Sequence, residues 1–158
     1  GSVGEGGDIG VGYDNWKKAL EHVEDTGMRV LVENTAGGKN SVARYMDSIE
    51  RLWEVIGHLN VGLCLDTCHT WAGGIPTKKA VRGFNKLVKK IDLVHFNDSK
   101  DGFESSRDRH ENLGKGQIPK DELEYVIKHC KTDIVVETPG GLEAQKKDIA
   151  WIKRRMNK

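Results

Sequence analysis

The sequence has little of what several common protein classes require. It contains three cysteines, an odd and sparse set that argues against a disulfide scaffold and favours a reducing, intracellular environment. No apolar run approaches the roughly 20 residues of a membrane span, so no membrane partner is predicted. Lys and Arg number 25 against 24 Asp and Glu. An overall polycation that coats nucleic acid is therefore excluded, whereas a local basic patch is not.

Short apolar runs alternate with segments that have helical apolar spacing. Four runs are predicted to be buried strands, and five segments between and around them are predicted to be helices. The predicted strands are 28–32, 61–65, 91–94 and 134–136. The predicted helices start near residues 15, 42, 80, 119 and 143, and in the last one Ile149, Ile152 and Met156 are expected to face inward. Alternating strands and helices with almost wholly apolar strands predict a parallel α/β sheet covered by helices.

The chain is predicted to be one domain, residues 1–158. Six of its first twelve residues are glycine, so residues 1–13 are expected to form a flexible lead-in. A second irregular segment, Asp98 to Ile118, is rich in glycine and charge and interrupts the strand–helix alternation. Loops of this length in a compact domain are usually functional or disordered.

Each predicted strand stops at a side chain that can bind a metal ion. These residues are Glu33, Asp66, His95 and Glu137. Because active sites of parallel α/β folds lie at the carboxyl ends of the strands, the four side chains are expected to converge. Clustered carboxylates beside apolar strand ends repel one another and lose hydration, unless a cation is bound. Carboxylate and imidazole ligands suit zinc, and also manganese or iron.

Three further potential ligands lie close by in the sequence. His69 follows Asp66 by three residues, and Asp108 and His110 alternate within the insertion, as they would on one side of an extended segment. Taken singly, each of these residues has a simpler interpretation. His69 would be an ordinary loop histidine, and Asp108 and His110 would belong to a solvated charged run. An acidic residue at a strand end would be a helix cap. Taken together, the seven residues are sufficient for two metal sites, with Glu33 placed to bridge toward a third.

Four segments resemble motifs of the endonuclease IV family of apurinic/apyrimidinic (AP) endonucleases, and they occur in the same order. The segments are ENTAG at 33–37, CLDTCH at 64–69, HFNDSK at 95–100 followed by RDRHENLGKGQI at 107–118, and ETP at 137–139. The resemblance covers nearly the whole chain.

The resemblance implies a TIM-barrel hydrolase that holds up to three zinc ions and cuts the DNA backbone 5′ to an abasic site, as an intracellular, cytoplasmic or nucleoid-associated repair enzyme. Glu33 would bridge the first and second metals, and a complete second and third site would be present. The second site would comprise Asp66, His95 and Glu137 with Glu33, and the third His69, Asp108 and His110. Glu33 and Glu137 would be the catalytic residues, holding and deprotonating the attacking water. Arg107 and Arg109 are candidates for DNA phosphate contacts.

The chain has no counterpart of the first half of that family's barrel, which includes two histidines of the first metal site. Four strands cannot close an eight-stranded barrel, so we expect the C-terminal half-barrel, completed by a second copy or by a separate N-terminal half, or a fragment. Two other functions remain open. One is a metal-dependent TIM-barrel sugar isomerase or epimerase, and the other is a metal-binding fragment without activity.

Overall fold

A computed structural model describes residues 8–157 and shows a parallel α/β architecture. The helices are α1 (Ile9–Glu24), α2 (Met46–Ile56), α3 (Thr67–Gly73), α4 (Thr77–Leu87), α5 (Lys120–His129) and α6 (Gly141–Met156). The strands are β1 (Val30–Glu33), β2 (Val61–Asp66), β3 (Leu93–His95), β4 (Asp98–Ser99), β5 (His110–Glu111) and β6 (Asp133–Val135). Among these residues no helix is both long and apolar enough to cross a membrane.

Four strands form one parallel sheet in the order β1-β2-β3-β6. All four predicted strands are confirmed, although β1 and β3 start two residues later than predicted. Strand β6 starts and ends one residue earlier than predicted, so Glu137 lies two residues past it. Each crossover between neighbouring strands contains a helix, as parallel pairing requires. The sheet is therefore a four-stranded section of the predicted barrel type.

The helices cover one face of the sheet. The larger core joins Leu63, Leu65 and Val94 of the central strands to Phe84 of α4 and Leu123 of α5, all of them buried. A second core places side chains of α1 and α2 against β1 and β2. Because successive strand residues point to opposite faces, the residues that alternate with these core positions face away from the helices.

The lead-in prediction is wrong for residues 9–13, which are helical. Helix α1 begins at Ile9, where the Asp8 side chain accepts a hydrogen bond from the Gly10 N–H at 2.8 Å. The cap and the burial of Tyr13 outweigh the low helix propensity of the glycines. Residues 1–7 lie outside the described part of the chain.

Helix α6 also departs from the prediction. Ile152 is buried, but Ile149 and Met156 are 42% and 63% exposed. Both were expected to face inward because their apolar character suggested a core contact. The described residues provide no neighbouring layer on that side of α6 because β6 is the last strand of the sheet.

The insertion is ordered by a short antiparallel ribbon of β4 and β5, in which Ser99 pairs with His110. The Lys100 N–H donates to the Arg109 carbonyl at 2.9 Å and extends this pairing by one step. The expected extended conformation is thus confirmed at His110. The ribbon folds the insertion back over the carboxyl end of the sheet.

Candidate metal centre

The residues at the carboxyl ends of the four parallel strands lie together, with Glu33, Asp66 and His95 ending their strands and Glu137 two residues past β6. Glu33, Asp66, His95 and Glu137 offer ligand atoms that are all within 4.8 Å of one another. His95 Nδ1 lies 3.1 Å from Glu33 Oε1 and 3.3 Å from Glu137 Oε2. The register explains the convergence, since Asp66 pairs with His95 across the parallel β2–β3 ladder. We call these four residues the first cluster.

A second cluster joins the start of α3 to the insertion. His69, Asp108 and His110 also have ligand atoms within 4.8 Å of one another. His69 Nε2 lies 3.0 Å from Asp108 Oδ2, and His110 Nε2 lies 3.1 Å from Asp108 Oδ1. Asp66 positions His69 directly, because its carboxylate caps α3 by accepting from the His69 N–H at 2.8 Å.

The two clusters are contiguous. His69 Nδ1 lies 3.3 Å from Glu33 Oε1, and His110 Nε2 lies 3.7 Å from Asp66 Oδ2. The structure therefore brings together all seven residues that the sequence singled out as potential metal ligands. They form one continuous site at the carboxyl end of the sheet.

The orientation of the histidines fits a divalent cation. The Nδ1 atoms of His69 and His110 lie 2.8 Å and 3.2 Å from the backbone carbonyls of Asn34 and Glu137, which favours a proton on Nδ1. Both Nε2 atoms are buried and have no hydrogen-bond partner among the described residues, although both face Asp108. Metal-binding histidines are commonly held in this way, with one ring nitrogen bonded to a carbonyl and the other free to bind the ion.

The electrostatics of the clusters also favour a cation. Burial raises the pKa of the Asp66 carboxyl, against the opposing effect of the neighbouring histidines. Burial would also raise the pKa of Glu33, but the hydrogen bond from His69 and the charge of His95 outweigh it, and the pKa is lowered. Burial lowers the pKa of His69, yet Glu33, Asp66 and Asp108 together raise it to about 10. The site thus concentrates negative charge, which a protonated histidine balances. A bound divalent cation would supply that positive charge instead, and the histidines would bind it in their neutral form.

Arg107 and Arg109, the two predicted DNA contacts, lie on the insertion and both contact the carboxylate of Asp101. Arg109 forms a two-pronged ion pair with Asp101, in which Arg109 Nε lies 2.6 Å from Asp101 Oδ2. Arg107 lies 3.7 Å from the same carboxylate, and its side chain is 67% exposed. Of the two, Arg107 is more accessible to a polyanion.

The sequence reasoning assigned no role to several residues that organise the site. Asn34 exchanges two hydrogen bonds with the Asp66 backbone, at 3.1 Å and 2.8 Å, and Asn97 contacts the carboxylates of the first cluster. Asp148 of α6 accepts from Thr138, next to Glu137, at 2.6 Å. Position within the motifs could have flagged both asparagines. Nothing in the sequence distinguishes Asp148 from a surface acid. Cys64 lies on β2, between the potential ligands that end β1 and β3, and is a buried free cysteine.

Known proteins match this chain over nearly its whole length. Residues 5–155 match the sequence model of the Xylose isomerase-like TIM barrel family. Proteins named "Probable endonuclease 4" from Mycobacterium tuberculosis and Mycobacterium leprae are 46% and 43% identical over 155 residues. In both cases the match covers 98% of this chain and 60% of the relative, so the chain spans about three fifths of the length of these curated relatives.

Solved structures give the same result for the fold. The crystal structure of endonuclease IV from Thermus thermophilus superposes with a TM-score of 0.75 at 27% identity, over 92% of this chain and 58% of that chain. A D-tagatose 3-epimerase-like protein superposes with a TM-score of 0.72 at 19% identity, over 94% and 54% of the two chains, which supports the fold alone. Because the family model matches residues 5–155, the chain belongs to the Xylose isomerase-like TIM barrel family.

Proposed function

We propose that this chain forms the metal-binding half of a DNA repair hydrolase that cuts the phosphodiester 5′ to abasic sites. The observation that carries the proposal is the pair of adjoining clusters, four ligands in one and three in the other. The second cluster is the discriminating part, since a sugar isomerase or epimerase would not need a further metal there. The names of the mycobacterial relatives and of the Thermus structure support the same function.

The donor set suits zinc, with manganese as the alternative, because carboxylate oxygens and imidazole nitrogens are its usual ligands. Glu33, Asp66, His95 and Glu137 would hold one ion. His69, Asp108 and His110 would hold another, and Glu33 would bridge toward an ion completed by residues outside this chain. Such ions, when bound, lower the pKa of a coordinated water and neutralise charge on a phosphate.

The protein groups would orient the reactants around that centre. The side chains of Glu33 and Glu137 are 35% and 43% exposed, whereas Asp66 is fully buried. Glu137, the most exposed of these three carboxylates, is therefore the one best placed to accept a proton from a water that approaches from the solvent. Glu33, held by His69 and His95, would keep that water oriented.

Double-stranded DNA with an abasic site is the proposed substrate. Arg107 would contact a backbone phosphate from the exposed surface of the insertion, and Arg109 would do so less directly because Asp101 holds it. An abasic nucleotide leaves the stack at low cost, since it has no base to unstack. The nucleotide could therefore reach the two clusters at the carboxyl end of the sheet.

A complementary half-barrel is the proposed partner. β1 and β6 each have one edge that is unpaired within the described residues, and Val135 is 44% exposed at the second of them. Two copies of this chain would supply the eight strands of a barrel. They would also supply ten helices, two more than eight strands need, because five helices of each copy cover the sheet, namely α1, α2, α4, α5 and α6. Helix α1 of one copy and α6 of the other would then compete for one groove. A partner segment with four strands and three helices avoids this conflict, and two fifths of each relative's length remains to encode it.

The test is cleavage of a labelled duplex that carries one tetrahydrofuran abasic analogue, with zinc and the N-terminal half of a mycobacterial relative supplied in trans. We expect a single nick 5′ to the analogue. The Glu137→Gln variant should lose about 99% of the rate or more, since a general base contributes roughly 100-fold or more. The matched Glu143→Gln variant, altered at an exposed site of α6, should retain the rate. Absence of nicking by a zinc-loaded, reconstituted complex would reject the proposal.

A further inference from the structure

A buried amide lies between two carboxylates of the first cluster. Asn97 is fully buried, and its Nδ2 lies 2.9 Å from Asp66 Oδ2 and 3.4 Å from Glu137 Oε2. Its Oδ1 accepts a hydrogen bond from the Glu137 N–H at 2.8 Å. We propose that Asn97 is a positioning residue that fixes the Asp66 and Glu137 carboxylates for metal binding at the first cluster, an inference that rests on the metal-binding function proposed above.

The chemistry of the surroundings explains why an amide is required. One side of the pocket offers carboxylate oxygens, which need a donor, and the other side offers the Glu137 N–H, which needs an acceptor. A carboxamide supplies both from one planar group, and the reversed orientation would place oxygen against oxygen and N–H against N–H. The two donors and the acceptor therefore hold Asn97 in one orientation. That orientation leaves outward-facing lone pairs of Asp66 and Glu137 for an ion.

The backbone of Asn97 is held as firmly as its side chain. The Asn97 N–H donates to Thr67 Oγ1 at 2.8 Å, and the Thr67 hydroxyl lies 2.5 Å from the Asn97 carbonyl. Thr67 directly follows Asp66, so the amide is anchored to the same strand end that carries its first carboxylate partner. This double anchoring makes Asn97 a rigid spacer between β2 and the segment after β6.

Within residues 8–157, the side-chain hydrogen bonds of Asn97 go only to Asp66 and Glu137 of the first cluster. Among the described residues its side chain forms no hydrogen bond with His69, Asp108 or His110. A change in its donor capacity should therefore affect the two clusters unequally. A residue that only supports packing would affect both clusters together, through a general loss of order.

The key variant is Asn97→Asp, which keeps the shape of the side chain but replaces the donor by a third buried carboxylate oxygen beside Asp66 and Glu137. We expect zinc affinity at the first cluster to fall by about 10- to 100-fold, the usual effect of losing a residue that orients metal ligands. Affinity at the second cluster should stay within about twofold. Asn97→Ser, which is neutral but too short to reach both carboxylates, should give a smaller loss at the same cluster. Asn85→Asp, at an exposed position of α4, is the matched control for the added charge.

Zinc titration followed by imidazole ¹H–¹⁵N nuclear magnetic resonance separates the two clusters. The ring nitrogens of His95 report on the first cluster, and those of His69 and His110 report on the second. The backbone amide spectrum of the same sample measures folding. If the unmodified protein shows no zinc-dependent shift at any of the three rings, the proposed function fails and this inference falls with it.

If the unmodified protein binds zinc, the variants test Asn97 by itself. Selective weakening at His95, with an unchanged amide spectrum, supports the positioning role. Equal affinity of Asn97→Ser and the unmodified protein at His95 overturns it, because serine cannot reach both carboxylates. Parallel loss at all three histidines in both Asn97 variants, accompanied by a collapsed amide spectrum, also overturns it, because Asn97 would then act only in packing.

Discussion

The carboxylate of Asp98 offers the strongest single test of how the insertion is held. Asp98 is fully buried, and its Oδ2 accepts the N–H groups of Gly114 and Gly116 at 2.9 Å and 3.0 Å. Its Oδ1 accepts those of Ser99 and Ile118 at 2.8 Å and 3.1 Å. The insertion is thus closed at its base by one side chain, and the loop that it closes carries Asp108 and His110.

We predict that Asp98→Ala destabilises the protein by about 4 kcal/mol. Burial raises the pKa of Asp98 against the effect of its N–H donors, so the carboxylate itself gains little from its charge. The loss comes from the four N–H donors, two buried and two partly buried, because each loses its acceptor at a cost of about 1 kcal/mol. Asp98→Asn keeps one oxygen and should cost about half as much.

Urea unfolding followed by tryptophan fluorescence and circular dichroism measures this loss. For a chain of this size about 4 kcal/mol corresponds to a melting temperature lower by roughly 8 to 16 °C. Asp14→Ala, at an exposed position of α1, is the control and should stay within about 0.5 kcal/mol. A free energy of unfolding for Asp98→Ala within about 1 kcal/mol of the unmodified value would show that water satisfies these N–H groups, and the reasoning would be refuted.

Three other predictions concern packing at this site and in the core. Gly116→Ala should destabilise by about 2 kcal/mol in the same urea assay, because a Cβ there would lie 2.3 Å from Asp98 Oδ1; a neutral result would contradict the close approach. Leu65→Ala, on the fully buried central strand, should cost about 3 kcal/mol, whereas Leu142→Ala, 67% exposed on α6, should cost less than about 0.5; equal losses would refute the assigned core. Cys130, whose pKa burial raises to about 11, should resist alkylation at about pH 8 until urea unfolds the chain, as mass spectrometry would show; rapid native labelling would disprove its burial.

Much of the site could be predicted because its signals are local. A parallel strand buried on both sides must be apolar, so the first polar residue marks where the strand leaves the sheet. Glu33, Asp66 and His95 were found in this way, and parallel pairing puts such residues at one edge. The same local reasoning failed at Ile9, where a cap and tertiary burial outweighed the glycines, and at Ile149, where apolar character did not mean burial.

The sequence by itself determined which residues could bind metal and that four of them stand at or just after the ends of apolar strands, since both facts depend on residue type and short-range periodicity. The family resemblance implied that His69, Asp108 and His110 form one site, but only the tertiary structure decided that this site adjoins the first cluster, because that contact depends on the fold of the insertion. It also decided the roles of Asn97, Asp98 and Asp148. Their hydrogen-bond partners are up to 40 residues away in the chain. The role of a buried polar residue depends on the groups with which it forms hydrogen bonds, and the sequence does not show which groups these are.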